Sequence, residues 1–527
     1  MAISRREFLV ITGAAAAGAG CAAIEGPEGD AAVDGAREAG VLDAAADDAT
    51  IDASGLGDAT EEPDAQTETD AASDARVRAD AGADANGRCT ADDPTPSPDT
   101  TDFELNSVPY NGAGFPLGVM AGDALPTRAM VWTRYDGARA VRLRVVEVNA
   151  RGLALKIVHD ADVALAAGGF AHVDVTGLEA SKRYRYAFFE KNGANLVGRS
   201  RIGKFRTAPT ASSCSVIEFG GTSCNILGHA PWPNLQHAAA EELDFFIHCG
   251  DHIYADGGVD AETLAEYRAK YEQYWRGGGL NDLHASTGLF CTWDDHEVKN
   301  NWNAETIDNT AAGRAQLAAA TRTFFEHRAF RRNSASPDRI YRSFKWGHTA
   351  EIFMLDCRGE RRPSTRATAN AQFISPAQLS WLKAGLRNST AVFKFVVTSK
   401  PITGRVAMDL TRDDYWEGFP AQRAELLDFI VDNRLDGVWF LSGDVHYGCI
   451  CKVERTGRFS ALREVYMGPS GSGDDGVVDC SPANPQDLAR IDRKNYTKFR
   501  ADPIAKTLEI SFIGDANNVL CRKVFPA

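Results

Sequence analysis

Residues 210–527 of this sequence predict an α/β domain on buried central strands, and residues 103–209 a small β-sandwich in front of it. Within residues 115–209, short stretches such as "AMVWTRY", "VRLRVVEVN", "FAHVDVTGL" and "RYRYAFFEK" alternate between Gly or polar turns, the rhythm of half-buried strands. From Ser213 onward the rhythm changes to continuous apolar runs: "CSVIEFGG", "LDFFIHCGD", "LFCTWDDHE", "AEIFMLDCR", "VFKFVVTSK" and "GVWFLSGDVH". Each ends in polar residues. Helix-like segments such as "AETLAEYRAKYEQYW" and "FPAQRAELLDFIVDN" lie between several of them, which is α/β order.

Taken from the N-terminus, residues 1–21 read as an export signal. Arg5 and Arg6, in Ser4-Arg5-Arg6-Glu7-Phe8-Leu9, precede an Ala-rich run over residues 10–19 that is too short to span a membrane. That is the pattern of a twin-arginine signal. Cys21 follows Gly18-Ala19-Gly20, small residues that suit lipoprotein processing, so Cys21 is a candidate membrane tether. Residues 22–102 are dominated by Ala, Asp, Gly, Thr and Pro, and cannot bury enough apolar area to offset chain entropy. A disordered acidic linker is expected there.

Export would let the 11 cysteines pair; Cys480 with Cys521, or Cys449 and Cys451 with neighbours, are candidates. Lys plus Arg number 57 against 72 Asp plus Glu, a formal charge of -15. No basic surplus exists to displace counterions from nucleic acid. The expectation is a monomer that is periplasmic, cell-surface or secreted.

The chemistry sits where the apolar runs end. Ser223-Cys224-Asn225 follows the first run, Asp251 and Tyr254 the second, and Asp294-Asp295-His296-Glu297 with Asn300 and Asn301 the third. Asp356 and Arg358 follow a later run, and Asp444 and His446 the last. Such folds keep active groups at successive strand ends. Asp, His, Tyr, Cys and Asn are all metal ligands, and no single stretch holds enough of them for one site. Convergence of several ends is therefore expected. A carboxylate such as Asp251 can bridge two cations, and cations roughly 3.5–4 Å apart clamp a phosphoryl group and activate a water. Phenolate and thiolate ligands favour Fe3+, whereas Asp295 and Asp444 suit Ca2+ or another divalent ion. His237, His327 and His348 are expected in the core or on the surface.

The motifs "GDHIY", "WDDHEVKNNW", "LDCRGER" and "SGDVHYG", in this order, resemble the alkaline phosphatase D (PhoD-like) family of metallophosphatases. "FPLGVMAGDALPTRAMVWTRY" resembles the start of that family's N-terminal β domain, and "GLEASKRYRYAFFEK" with "FRTAP" resembles the last strands of a fibronectin type III-like domain. The resemblance runs from about Phe115 to Gly448 and thins beyond Ser481. It implies an α/β metallophosphoesterase sandwich, two central β-sheets flanked by helices, preceded by a small fibronectin III-like β-sandwich. It also implies a phosphate ester substrate and a dinuclear site of Fe3+ and Ca2+.

Carried over by position, Asp251 would bridge the metals and Tyr254, Cys224 and His446 would bind iron. Asp295 and Asp444 would hold the second ion, Asp444 standing where the wider family has a histidine. His296, Arg358 and Asn301 are the expected catalytic groups: His296 to protonate the leaving oxygen or hold the phosphate, Arg358 to bind the phosphate. Asp294 would orient His296. Where relatives have a His before a Pro, this chain has "TSKPI" with Ser399 and Lys400, which removes a nitrogen ligand. Two other readings keep the fold. One is a non-catalytic surface protein that binds through the β-sandwich; the other is a phospholipase D-like enzyme acting on phospholipid or teichoic-acid-like diesters.

Overall fold

In a computed structural model, residues 105–307, 309–404, 413–473 and 480–527 are described. The signal, Cys21 and the linker lie outside them. All described elements belong to one unit, Gly87–Ala527. The strands before residue 210 are β1 (Val119–Leu125), β2 (Arg128–Arg134), β3 (Val141–Val148), β4 (Ala154–Val163), β5 (Phe170–Thr176), β6 (Arg183–Asn192), β7 (Asn195–Arg199) and β8 (Gly203–Arg206). Then come β9 (Ile217–Thr222), β10 (Phe245–His248), β11 (Gly288–Cys291), β12 (Arg342–Trp346), β13 (Ala350–Met354), β14 (Phe393–Thr398) and β15 (Val438–Ser442). The last are β16 (Gly448–Lys452), β17 (Arg463–Tyr466), β18 (Asp487–Ile491), β19 (Asn495–Asp502), β20 (Thr507–Gly514) and β21 (Val519–Pro526).

Two large sheets form the centre. One has nine strands in the order β21-β20-β19-β9-β10-β11-β1-β2-β5, the other seven in the order β12-β13-β14-β15-β17-β16-β18. In the first, β9, β10 and β11 are parallel; in the second, β13, β14 and β15 are. β10, β11, β13, β14 and β15 are buried at every position, as parallel strands covered on both faces must be. Alternation decides which face each side chain serves. Phe245 and Ile247 point to the seam between the sheets, and Phe246 points outward to the helices. Across the seam Phe219 meets Phe395 at 5.1 Å, Phe245 meets Trp346 at 4.6 Å and Phe290 meets Phe344 at 4.1 Å. Each fully buried ring contributes about 1.5–3 kcal/mol.

Helices close the outer faces. Leu264–Trp275, opened by a Thr263/Glu266 capping box, buries Tyr267, Tyr271, Tyr274 and Trp275 in the cluster that holds Phe246. Pro376–Asn388 and Pro420–Asp432 bury Leu382 and Leu427 with Phe353 and Phe440 of the other sheet. The expected arrangement of two central sheets flanked by helices is what the chain adopts.

The N-terminal strands differ from the sequence expectation in how they pair. β3, β4, β6, β7 and β8 make a five-stranded sheet, but β1, β2 and β5 belong to the nine-stranded one. β1 runs parallel to β11, with Ala121 opposite Gly288 and Gly122 opposite Leu289. Gly122 is required at this join, because a Cβ there would lie 2.2 Å from the Ala329 carbonyl. The tail that the sequence left without an assignment supplies β18 to β21. The Cys480–Cys521 disulfide anticipated above ties it to β21, whereas Cys449 and Cys451 are buried thiols.

Candidate active site

Every central parallel strand delivers polar residues to one rim. β9 ends at Thr222 and is followed by Cys224; β10 ends at His248 before Asp251; β11 ends at Cys291 before Asp294–His296. From the other sheet, β13 leads to Arg358, β14 to Lys400 and β15 to Asp444. Cys224, Asp251, Asn301 and Asp444 have φ of 57°, 55°, 54° and 66°, the left-handed region that L-residues avoid. Each such residue costs of order 1–3 kcal/mol and persists only where its surroundings hold it. Gly250, at φ 109°, lets the β10 loop touch the β11 loop, since a Cβ there would meet the Asp294 nitrogen at 2.6 Å.

Glu297 locks these two loops together. Buried, it accepts from the backbone N–H groups of Asp251 (3.1 Å), His252 (2.8 Å) and Asp294 (2.9 Å). Arg328, also buried, lies 3.6 Å away as its counter-charge.

Among the described residues, Asp251, Asp294, Asp295 and Asp444 each place a carboxylate oxygen within 4.8 Å of the others, and a ring nitrogen of His296 lies equally close to carboxylate oxygens of Asp251 and Asp295. The Cys224 thiol donates to Asp251 Oδ2 at 3.4 Å, and the Tyr254 ring stacks on His296 at 4.0 Å. Burial, with Asp295 next, pushes the Asp251 carboxyl well above the usual range. Burial pushes Asp294 up to about 7 against Arg358 and Lys400. For Asp295 burial acts the same way but is outweighed by Arg358, Lys400 and His296, and the group falls well below the usual range. Crowded carboxylates of this kind call for cations. Among the described residues the Tyr254 hydroxyl is buried without a hydrogen-bond partner, and burial pushes it well above the usual phenol range. An unsatisfied phenol beside a thiol and a carboxylate nest fits a metal ligand better than a core tyrosine.

Some expectations change. Asp256, not Asp294, orients His296: its Oδ1 is 2.7 Å from His296 Nδ1, and its Oδ2 accepts from Asn300 N at 2.7 Å. Burial alone would depress the imidazolium, but Asp295, Asp251 and Asp256 raise it to about 10. Arg358 was expected to meet phosphate; instead it is fully buried. Its Nε donates to Asp294 at 2.7 Å, its Nη2 lies 3.2 Å from Asp295, and both Nη atoms bond Asp414. A guanidinium enclosed in this way fixes carboxylates. Asn301 is exposed and contributes through its backbone, whose N–H donates to Asp295 Oδ2 at 2.7 Å. His446 is half-buried two residues after Asp444 and is not one of the side chains grouped above. His327 is in the core, as expected.

Asp414, Tyr415 and Asp256 were missed. Asp256 lies in the same "GDHIYAD" stretch as Asp251, so adjacency was its signal. Asp414 and Tyr415, in "RDDYWEGF", sit in an irregular loop that no apolar run announces. Lys400 carried a signal: it is a charge two residues after the buried strand "FKFVVT".

Comparison with known proteins matches residues 219–502 to the PhoD-like phosphatase family and residues 104–209 to the N-terminal domain of PhoD-like phosphatases. The chain belongs to the PhoD-like phosphatase family. It is 30% identical over 394 residues to alkaline phosphatase D of Bacillus subtilis (strain 168), a stretch covering 65% of this chain and 66% of that protein. A solved structure of PhoD superposes with a TM-score of 0.67 at 24% identity, covering 78% of this chain and 89% of that one. Purple acid phosphatase PPD1 from yellow lupin seeds (Lupinus luteus) gives 0.55 at 12% identity, covering 78% and 73%. These two likenesses concern the fold. In this PhoD-like chain both sheets of that fold end at the carboxylate nest.

Proposed function

We propose that this PhoD-like chain is an exported, metal-dependent hydrolase of phosphate mono- or diesters. The observation that carries the reading is the meeting of Asp251, Asp294, Asp295, His296 and Asp444 at one rim. Cys224, Asp251, Tyr254 and His446 would hold Fe3+, and Asp251, Asp295 and Asp444 a second ion, Ca2+ or another divalent metal. When bound, such a pair polarises the phosphoryl group and supplies a water nucleophile.

The remaining work falls to the chain's own residues. Asp256 engages His296 Nδ1 and leaves Nε2 to give a proton to the leaving oxygen. Arg358 and the Asn301 N–H fix Asp295, so the carboxylate is set before a substrate arrives. Arg5 and Arg6 support twin-arginine export, Cys21 supports a lipid tether, and the disulfide suits an oxidising compartment. We read the chain as a monomer. The strand orders β1-β2-β5 and β4-β3-β6-β7 support a fibronectin III-like reading of residues 103–209.

The deciding experiment is elemental analysis of protein purified without added metal, followed by hydrolysis of a panel of mono- and diesters. Iron with a second metal, and hydrolysis lost on chelation, is the expected result. Metal-free protein with no hydrolysis would favour the binding-protein reading.

A further inference from the structure

Lys400 stands directly before Pro401, where the family resemblance would place a nitrogen ligand. It follows β14, a strand buried along its whole length, and is itself buried, so its ammonium cannot reach out to water. Its Nζ lies 2.7 Å from Asp414 Oδ2, 3.1 Å from Asp294 Oδ2 and 3.8 Å from Asp295 Oδ1, and it pairs with Asp444 Oδ1. The other oxygen of Asp444 accepts from the Tyr415 hydroxyl at 2.6 Å. Both oxygens of Asp444 are therefore engaged by protein donors. Among the described residues Lys400 pairs with these four carboxylates and not with Asp251, so the iron side of the nest is outside its reach.

We propose that Lys400 is a built-in cation that competes with the second metal ion for Asp444, making that ion weakly held and exchangeable while the ion on Asp251 stays. The inference rests on the metal-centre reading above. An ion that takes Asp444 as ligand must displace a unit positive charge from the same oxygen, or bind beside it against its repulsion. Asp414, with its second oxygen on Arg358, gives the displaced ammonium an anionic partner to remain with. Lys400 thus lowers affinity for a divalent ion without any change in the ligand set.

The test uses the full chain and compares wild type with Lys400→Gln and Lys400→Arg. Each is dialysed against calcium-free buffer, analysed for iron and calcium, and titrated with Ca2+ by calorimetry. Wild type should keep iron and lose calcium. Lys400→Gln should bind Ca2+ at least about tenfold more tightly, since a unit charge at this distance is worth more than that in a partly dry site. Lys400→Arg, which keeps the charge, should stay at or below wild-type affinity. Equal Ca2+ affinity in wild type and Lys400→Gln, with iron retained, would overturn the competition alone. Should Lys400→Gln fail to fold, wild type decides: calcium retained stoichiometrically through dialysis overturns the proposal, and calcium lost with iron kept supports it. Absence of both metals from every variant would overturn the proposal together with the metal-centre reading beneath it.

Discussion

Arg358 and His296 show how far a side chain's partners decide its role. Arg358 at the end of "LDCR" suggests a phosphate fork, yet Asp294, Asp295 and Asp414 take up its guanidinium. The two roles predict different failures. Removing one partner of a buried charge network costs about 3–5 kcal/mol. Arg358→Ala should therefore lower the thermal midpoint by many degrees and loosen metal retention. A direct phosphate contact would instead raise KM and leave the midpoint where it was. For His296 the structural lever is Asp256. Asp256→Asn weakens the hold on Nδ1 without touching a metal ligand, so turnover should fall most for esters with poor leaving groups, which need the proton. His296→Ala should show the same pattern more strongly. A uniform loss across leaving groups would remove the proton-donor role.

At the scale of elements, the site is built by strands that end together and by loops held in costly backbone conformations. Glu297 is the fastener: three N–H groups from the β10 and β11 loops converge on it. Glu297→Gln keeps one acceptor but turns an NH2 group toward at least one of those donors. The expected loss is about 2 kcal/mol or more, read by thermal denaturation, with iron content falling in parallel. Unchanged stability and metal content would show that the loops hold themselves.

Much of this level was legible in the sequence. "FFIHCGD" and "LFCTWDDHE" announce buried strands with polar ends, because short continuous apolar runs suit strands covered on both faces. What was not legible comes from loops. Asp414 and Tyr415 reach the nest from an irregular segment, and no periodicity marks which loop will fold over a rim. The enclosure of Arg358 was hidden for the same reason: two of its partners were visible in "WDDHE", but the third was not.

At the scale of the whole molecule, residues 103–209 and the rest of the chain share a sheet, which alternation could not foretell. A half-buried strand reads alike whether it closes a separate sandwich or extends a larger sheet, because only its own two faces are encoded. Here β1 is hydrogen-bonded to β11, and β11 is the strand whose loop carries Asp294, Asp295 and His296. Trp132, Met120 and Phe170 from the N-terminal region lie in the same apolar cluster as Trp275, Leu289 and Trp293. Deleting residues 1–209 would expose the full edge of β11, unpaired and apolar, and open that cluster to water. An exposed edge of this kind recruits other chains. The prediction is that a chain beginning at residue 210 aggregates, or is soluble only with the β11 loop rapidly hydrogen-exchanging and iron absent. Deleting residues 1–102 should leave metal content unchanged. The two deletions can be compared by size-exclusion chromatography, hydrogen exchange across residues 288–303 and metal analysis. A soluble, iron-loaded chain from residue 210, with protection in the β11 loop equal to that of the longer chain, would show that the shared sheet is only a junction.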